Sequence, residues 1–194
     1  MKRGIVTGSS RGIGLATVQL LSKQMGMQVI GSSTYGSHYL NNESFTCLQL
    51  DLSRSESISA FVHQIGETKL DFLINNAGVL LENDTESKIN LDQLKQTFSV
   101  NVFGTIELTE ALLLKFNEGA HIINLSSEWG SFSDPDFDAF QPHYKMSKAA
   151  LNMYTKMLSK RLENRGICVS ALDPGWTKTD VGGPSATREA NDLH

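Results

Sequence analysis

Six short runs rich in β-branched and apolar residues, at 3–7, 28–31, 45–50, 70–75, 121–125 and 167–172, alternate with longer amphipathic stretches at 12–25, 55–65, 91–116 and 143–165. The short runs read as strands and the long ones as helices. Alternation of this kind implies right-handed crossovers, and these build a doubly wound parallel sheet with helices on both faces, an α/β architecture. The 194 residues contain no internal repeat, linker or low-complexity tract, so a single domain over 1–194 is expected. Ser53 or Ser55, and Asn90, stand where N-caps belong. One segment escapes the pattern: 128–141 is turn-rich, acidic and aromatic at once, as expected of a loop lying over something.

Composition closes off several classes. With 17 Lys and Arg against 21 Asp and Glu, the net charge is −4, and no basic run extends beyond Lys2-Arg3. Nucleic acid and anionic membrane surfaces are therefore not expected as partners. The two cysteines, Cys47 and Cys168, lie in apolar strand runs without metal-type spacing, so buried thiols and no metal are expected. Met1-Lys2-Arg3 leads straight into Gly4, too short and punctuated for a signal peptide, and no apolar stretch looks long enough to span a bilayer. The expected compartment is the cytoplasm.

Chemistry concentrates in two places. Thr7-Gly8-Ser9-Ser10-Arg11-Gly12-Ile13-Gly14 follows the first strand and opens the first helix. Glycines there let the backbone approach a diphosphate, and the free N–H groups at the positive end of the helix stabilise its charge. The spacing lacks the Lys-Ser/Thr of an ATP-binding P-loop. Further on, Tyr144 and Lys148 are four apart in a helical stretch, which puts them on one face, about 6 Å apart at Cβ. A phenol of ordinary pKa about 10 beside an ammonium is drawn toward the operating pH and can serve as an acid.

These motifs, with Asp51-Leu52, Asn75-Asn76-Ala77-Gly78, Asn101 in Val100-Asn101-Val102-Phe103-Gly104, Ser127, and Pro174-Gly175 followed by Thr179, resemble the short-chain dehydrogenase/reductase family over nearly the whole chain. The resemblance implies a Rossmann-type fold, a nicotinamide cofactor, and an oxidoreductase acting on a small carbonyl or alcohol. It implies Tyr144 as the proton donor to the carbonyl oxygen and Lys148 as the group that lowers the phenol pKa and holds the cofactor ribose. Ser127 is implied as a hydrogen-bond donor to the same oxygen, with Ser126 the alternative, and Asn101 as the residue binding a water between Lys148 and solvent. Cofactor contacts are implied at Gly8, Ser10, Arg11, Gly12, Ile13, Gly14, Asp51, Leu52, Asn76, Ala77, Gly78, Tyr144, Lys148, Pro174, Gly175, Thr177 and Thr179. His143 and the methionines Met146, Met153 and Met157 receive no role.

The second strand ends in Ser32-Ser33-Thr34, with no carboxylate to repel a 2′-phosphate, and Arg11 precedes the second glycine. Ser33, Thr34 and Arg11 thus favour NADP(H), with NAD(H) possible. Tyr144 to Met153 and Asp173 to Asp180 are similar to the C-factor-like and carbonyl-reductase-like branch. The loop 128–141 would line or cover the substrate entrance. A rival from another class is a non-catalytic dinucleotide-binding signalling or relic protein. Eleven residues run from Pro184 to His194, where relatives usually supply another helix and strand, so the sheet should stop at six strands with 167–172 at its edge. A homodimer through the two long helices is expected, using Leu108, Ala111, Leu112, Leu113, Ala149, Ala150, Met153 and Met157.

Overall fold

The computed structural model describes residues 1–36, 43–83 and 85–190. Strands β1 (Arg3–Val6), β2 (Gln28–Ser33), β3 (Phe45–Gln49), β4 (Leu70–Asn75), β5 (Phe116–Leu125) and β6 (Cys168–Leu172) form one sheet in the order β3-β2-β1-β4-β5-β6. Every pairing is parallel, as the alternation predicts. The chain leaves β1 toward β3 on one side and returns to β4 on the other. That reversal opens a crevice at the carboxyl ends of β1 and β4, where open α/β sheets bind ligands.

Alternation along the strands divides the core between two faces. Ile5, Leu73 and Ile122 point to one face, where Ile58 and Phe61 of helix α2 (Ser55–Ile65) and the later helices close over them. Val6, Ile74 and Leu125 point to the other, against Val18 of helix α1 (Gly12–Gln19). Gly4 in β1 is required by this packing, since a Cβ there would lie 2.4 Å from the Phe72 ring.

The long helical stretches are less regular than their periodicity suggests. The first continues beyond α1 as a π-helical turn, Leu20–Gln24. The third, 91–116, divides into α3 (Leu91–Phe98), a π-helical turn at Ser99–Gly104, α4 (Thr105–Leu112) and a short 3-10 turn, and β5 begins at Phe116. A Cβ on Gly104 would sit 2.0 Å from the Leu52 carbonyl oxygen, so this turn packs directly on the loop after β3. Helix α5, Pro142–Leu162, carries the Tyr144 and Lys148 positions.

Asn90 caps α3 as expected, its side chain accepting from the amides of Asp92 and Gln93. Ser53 and Ser55 do not cap α2. Arg54 holds that position, Ser53 is drawn into a turn by Asp51 Oδ1, and Ser55 is already helical.

Three other expectations are corrected. Cys168 is exposed, because β6 is the edge of the sheet, whereas Cys47 is buried. The segment Leu91–Lys115 has the length and apolarity of a membrane span. It is instead broken by its π-helical turn, and its apolar Leu108 and Leu112 are wholly buried in the sheet core. Those two leucines therefore offer nothing to a dimer face. The polar tail at 191–194 lies outside the described residues.

Candidate active site

The loop between β1 and α1 has the shape a diphosphate needs. Gly8 and Gly12 adopt φ of 64° and 54°, and a Cβ on Gly14 would lie 2.3 Å from the Gly8 carbonyl oxygen. No other residue fits these positions without rearrangement. Arg11 occupies the N-cap position of α1 without a capping bond, and the first turn holds no acidic residue. No acidic side chain of the turn itself competes for its N–H groups. Thr7 Oγ1 accepts from the amides of Asn76 and Ala77, while Asn76 Nδ2 donates to the carbonyls of Thr7 and Gly8. The Asn76 side chain thus clamps the loop beside which its cofactor contact is expected.

Other cofactor positions divide in the same way. Ser33 is buried and accepts from the Gly36 amide, which leaves Thr34 and Tyr35 exposed at the end of β2. Asp51 Oδ1 holds the Ser53 turn, and the Leu52 side chain belongs to the core. Ser10 and Gly78 are open to solvent. Thr177 is buried, its hydroxyl turned to the carbonyls of Pro174 and Gly175. A Cβ on Gly12 would come within 3.0 Å of Thr179 Cγ2, so the segment after Pro174-Gly175 folds toward the loop. The exposed Arg11 guanidinium pairs with Asp180 at 2.9 Å.

At the carboxyl ends of β4 and β5 the second cluster assembles. Lys148 is buried, and its Nζ donates to the Leu125 carbonyl at 2.7 Å while lying 5.3 Å from the centre of the Tyr144 ring. Asn101, on the π-helical turn, is 1% exposed. Its Oδ1 accepts from the Val79 amide, and its Nδ2 donates to the Val79 carbonyl and to Ser147 Oγ. Ser147 Oγ in turn donates to the Tyr144 carbonyl. A Cβ on Gly78 would be 3.3 Å from Asn101 Oδ1 and 3.8 Å from Lys148 Nζ, which fixes how tightly these three positions meet.

Ser126 and Ser127 are separated by their partners. Ser126 Oγ donates to Asn152 Oδ1 at 2.6 Å and is tied to α5, whereas the half-buried Ser127 Oγ accepts from the Trp129 amide and keeps its proton to donate. The Trp129 ring meets Tyr144 edge-on at 6.0 Å between centroids.

Burial governs both titrating groups. It pushes the Tyr144 phenol up to about 12, with the negative charge of Asp173 adding to the effect, and it pushes the Lys148 ammonium down to about 8. The expected lowering of the phenol by Lys148 is therefore reversed here, because desolvation of the phenolate outweighs an ammonium turned toward Leu125. The phenol is fully protonated at neutral pH, the state an acid needs.

The loop 128–141 is fastened to this cluster by a residue that its sequence does not advertise. Lys145 is buried, with Nζ 2.5 Å from Asp138 Oδ1, 5.2 Å from the Trp129 ring centre and 5.1 Å from that of Phe137. An ammonium between two ring faces and a carboxylate holds the loop by cation–π and charge attraction.

The short chain dehydrogenase family model matches residues 2–190. The chain belongs to the short-chain dehydrogenase family. It is 36% identical to the C-signal protein of Myxococcus xanthus over 136 residues, covering 69% of this chain and 81% of that one. It is 30% identical to the 3-oxoacyl-(acyl-carrier-protein) reductase of Vibrio cholerae over 191 residues, covering 93% of this chain and 75% of the relative. The NADPH-bound carbonyl reductase from chicken fatty liver superposes with a TM-score of 0.88 at 27% identity, covering 100% of this chain and 84% of that structure. This short-chain dehydrogenase is accordingly an oxidoreductase by family, of the C-factor-like and carbonyl-reductase-like kind.

Proposed function

We propose that this short-chain dehydrogenase reduces small carbonyl compounds with NADP(H), and oxidises the matching alcohols in reverse, through Ser127, Tyr144 and Lys148. The observation that carries the reading is one cluster: a half-buried Tyr144 beside a buried Lys148, with Asn101 and Gly78 against them, at the same sheet edge as a glycine loop that opens a helix. A nicotinamide dinucleotide fits that loop, whose glycines leave the volume a Cβ would fill, and when bound it supplies the hydride.

The remaining steps belong to the chain. Tyr144 gives its proton to the carbonyl oxygen, and Ser127 donates a hydrogen bond to the same atom, where negative charge develops. Lys148, which donates to Leu125 here, would be the residue that holds the ribose hydroxyls of a bound dinucleotide, and its ammonium lies beside the phenol ring. Both amide protons of Asn101 are already committed, so a water relaying protons between Lys148 and solvent would rest on a carbonyl of the surrounding π-helical turn.

The choice of NADP(H) is supported by the exposed Thr34 and Arg11, by the lack of a carboxylate among Ser32-Ser33-Thr34 and by the NADPH carried by the chicken carbonyl reductase. Arg11→Ala should weaken NADPH more than NADH by about 1–3 kcal/mol, the range for a charge-assisted hydrogen bond. Calorimetric titration with both cofactors checks this; equal weakening would show that Arg11 only shapes the loop.

The second reading, a dinucleotide-binding signalling protein without turnover, is favoured by the match to the C-signal protein. It requires saturable NADPH binding and no reduction across a broad panel of aldehydes, ketones and quinones.

Association through the long helices remains the proposed assembly, with the face redrawn. Met153 and Met157 of the expected face are exposed, at 58% and 63%, and the exposed Phe103, at 63%, takes the place of Leu108 and Leu112. Light scattering should give a dimer, and Met153→Glu with Met157→Glu should give a monomer. A monomeric wild-type chain would refute the interface.

A further inference from the structure

We infer that Glu82 positions Tyr144: its buried carboxylate reaches from the segment after β4 to cap the first turn of α5, and so fixes where the phenol stands. The inference rests on Tyr144 being the proton donor. Helix α5 begins with Pro142, which has no amide proton, so the first free donors are the amides of His143 and Tyr144. Gln141, ahead of them at a left-handed φ of 51°, contributes no side-chain cap. Both amides donate instead to one oxygen, Glu82 Oε1, at 2.7 and 3.0 Å.

The surroundings single this carboxylate out. The side chains of Glu82 and His143 are both fully buried, with His143 Nδ1 3.1 Å from Glu82 Oε1. His143 Nε2 accepts from the Asn90 amide, which leaves Nδ1 as the nitrogen nearest Glu82, close to the carboxylate but without a hydrogen bond to it. Glu82 Oε2 is buried with no hydrogen-bond partner among the described residues. A buried carboxylate is expensive unless compensated. Here the compensation is the two amides and the positive end of the longest helix.

The grip is also more than one bond wide. The Gln141 amide donates to the Glu86 carbonyl at 2.7 Å, so the same segment holds α5 immediately before its first turn. Tyr144 lies in that turn, and one of the two amides on Glu82 is its own. A frayed turn would move the phenol relative to Ser127 while leaving the glycine loop untouched. Glu82 is 62 residues from Tyr144 in sequence, which is why no local motif announces it.

The test compares the full chain with Glu82→Gln, which keeps an acceptor oxygen, and Glu82→Leu, which removes it. Amide exchange at His143 and Tyr144 should be about ten-fold faster in Glu82→Leu, and within about three-fold of wild type in Glu82→Gln. On a reduced carbonyl, kcat should fall about ten-fold or more in Glu82→Leu with KM for NADPH nearly constant, and Glu82→Gln should restore it. Protected amides in Glu82→Leu, or a loss that appears in KM and equally in Glu82→Gln, would overturn the inference. If the wild-type chain turns over no carbonyl, the reading of function fails and the ring resonance of 13Cζ-labelled Tyr144 decides this one. A resonance displaced in Glu82→Leu and unmoved in Glu82→Gln supports it; a resonance unmoved in both refutes it.

Discussion

Tyr144→Phe should lose about 10²–10⁴-fold in kcat, the range for removing a positioned proton donor, while NADPH affinity stays within about two-fold of wild type. The asymmetry follows from the geometry. The ring remains to pack edge-on against Trp129, and the Lys148 bond to Leu125 is independent of the phenol oxygen. Only the proton delivered to the substrate disappears. Stopped-flow reduction of a reactive diketone or quinone, with NADPH binding measured in parallel, separates the two effects. Equal kcat values in wild type and variant would remove Tyr144 from the reaction. A parallel loss of NADPH binding would make it a structural residue.

Lys148→Met should abolish turnover and make the fold more stable, two consequences of one buried charge. The ammonium is held at about 8, against 10.5 when exposed, because burial penalises the charged form. A depression of that size corresponds to about 3 kcal/mol of destabilisation at neutral pH. Leaving the Leu125 carbonyl without its donor returns about 1 kcal/mol, so a net gain of about 2 kcal/mol is expected at pH 7. The sign of the pH dependence follows from proton counts. Between about 8 and 10.5 the unfolded chain binds more protons at Lys148 than the native one, so wild-type stability rises with pH there, and the penalty stands in full below 8. Tyr144 acts in the opposite direction and only above 10, since its native value is raised to about 12. Urea unfolding from pH 7 to 10 should show a rise in wild type that Lys148→Met flattens. A variant less stable than wild type at pH 7 would show that Lys148 is compensated more fully than its burial implies.

What could be read in advance was what depends on local pattern. Strand and helix identities followed from run length and apolar spacing, and the glycine loop from residues whose backbone role is intrinsic to them. The middle of the long helical run at 91–116 is not legible as irregular, because a π-helical turn leaves the apolar rhythm nearly intact while holding Asn101 in the interior. Cys168 and the pair Leu108 and Leu112 were misjudged for a shared reason: whether an apolar residue is covered depends on the order of strands and helices across the sheet, which spacing does not encode. The direction of the Tyr144 shift is likewise beyond local pattern, since i,i+4 spacing brings the ammonium near but says nothing of desolvation. Glu82 and Lys145 act across long separations or from a position adjoining Tyr144 but turned away from it, and neither makes a motif.

Isotope tracing follows the hydride to the carbonyl carbon and shows whether Tyr144 supplies the proton. The purified chain is incubated with NADPH deuterated at the transferable C4 position and a panel of aldehydes and ketones, and the products are examined by mass spectrometry. The account predicts an alcohol carrying one deuterium at the carbinol carbon, formed by wild type and lost in Tyr144→Phe. Saturable NADPH binding with no deuterated alcohol from any member of the panel would contradict it.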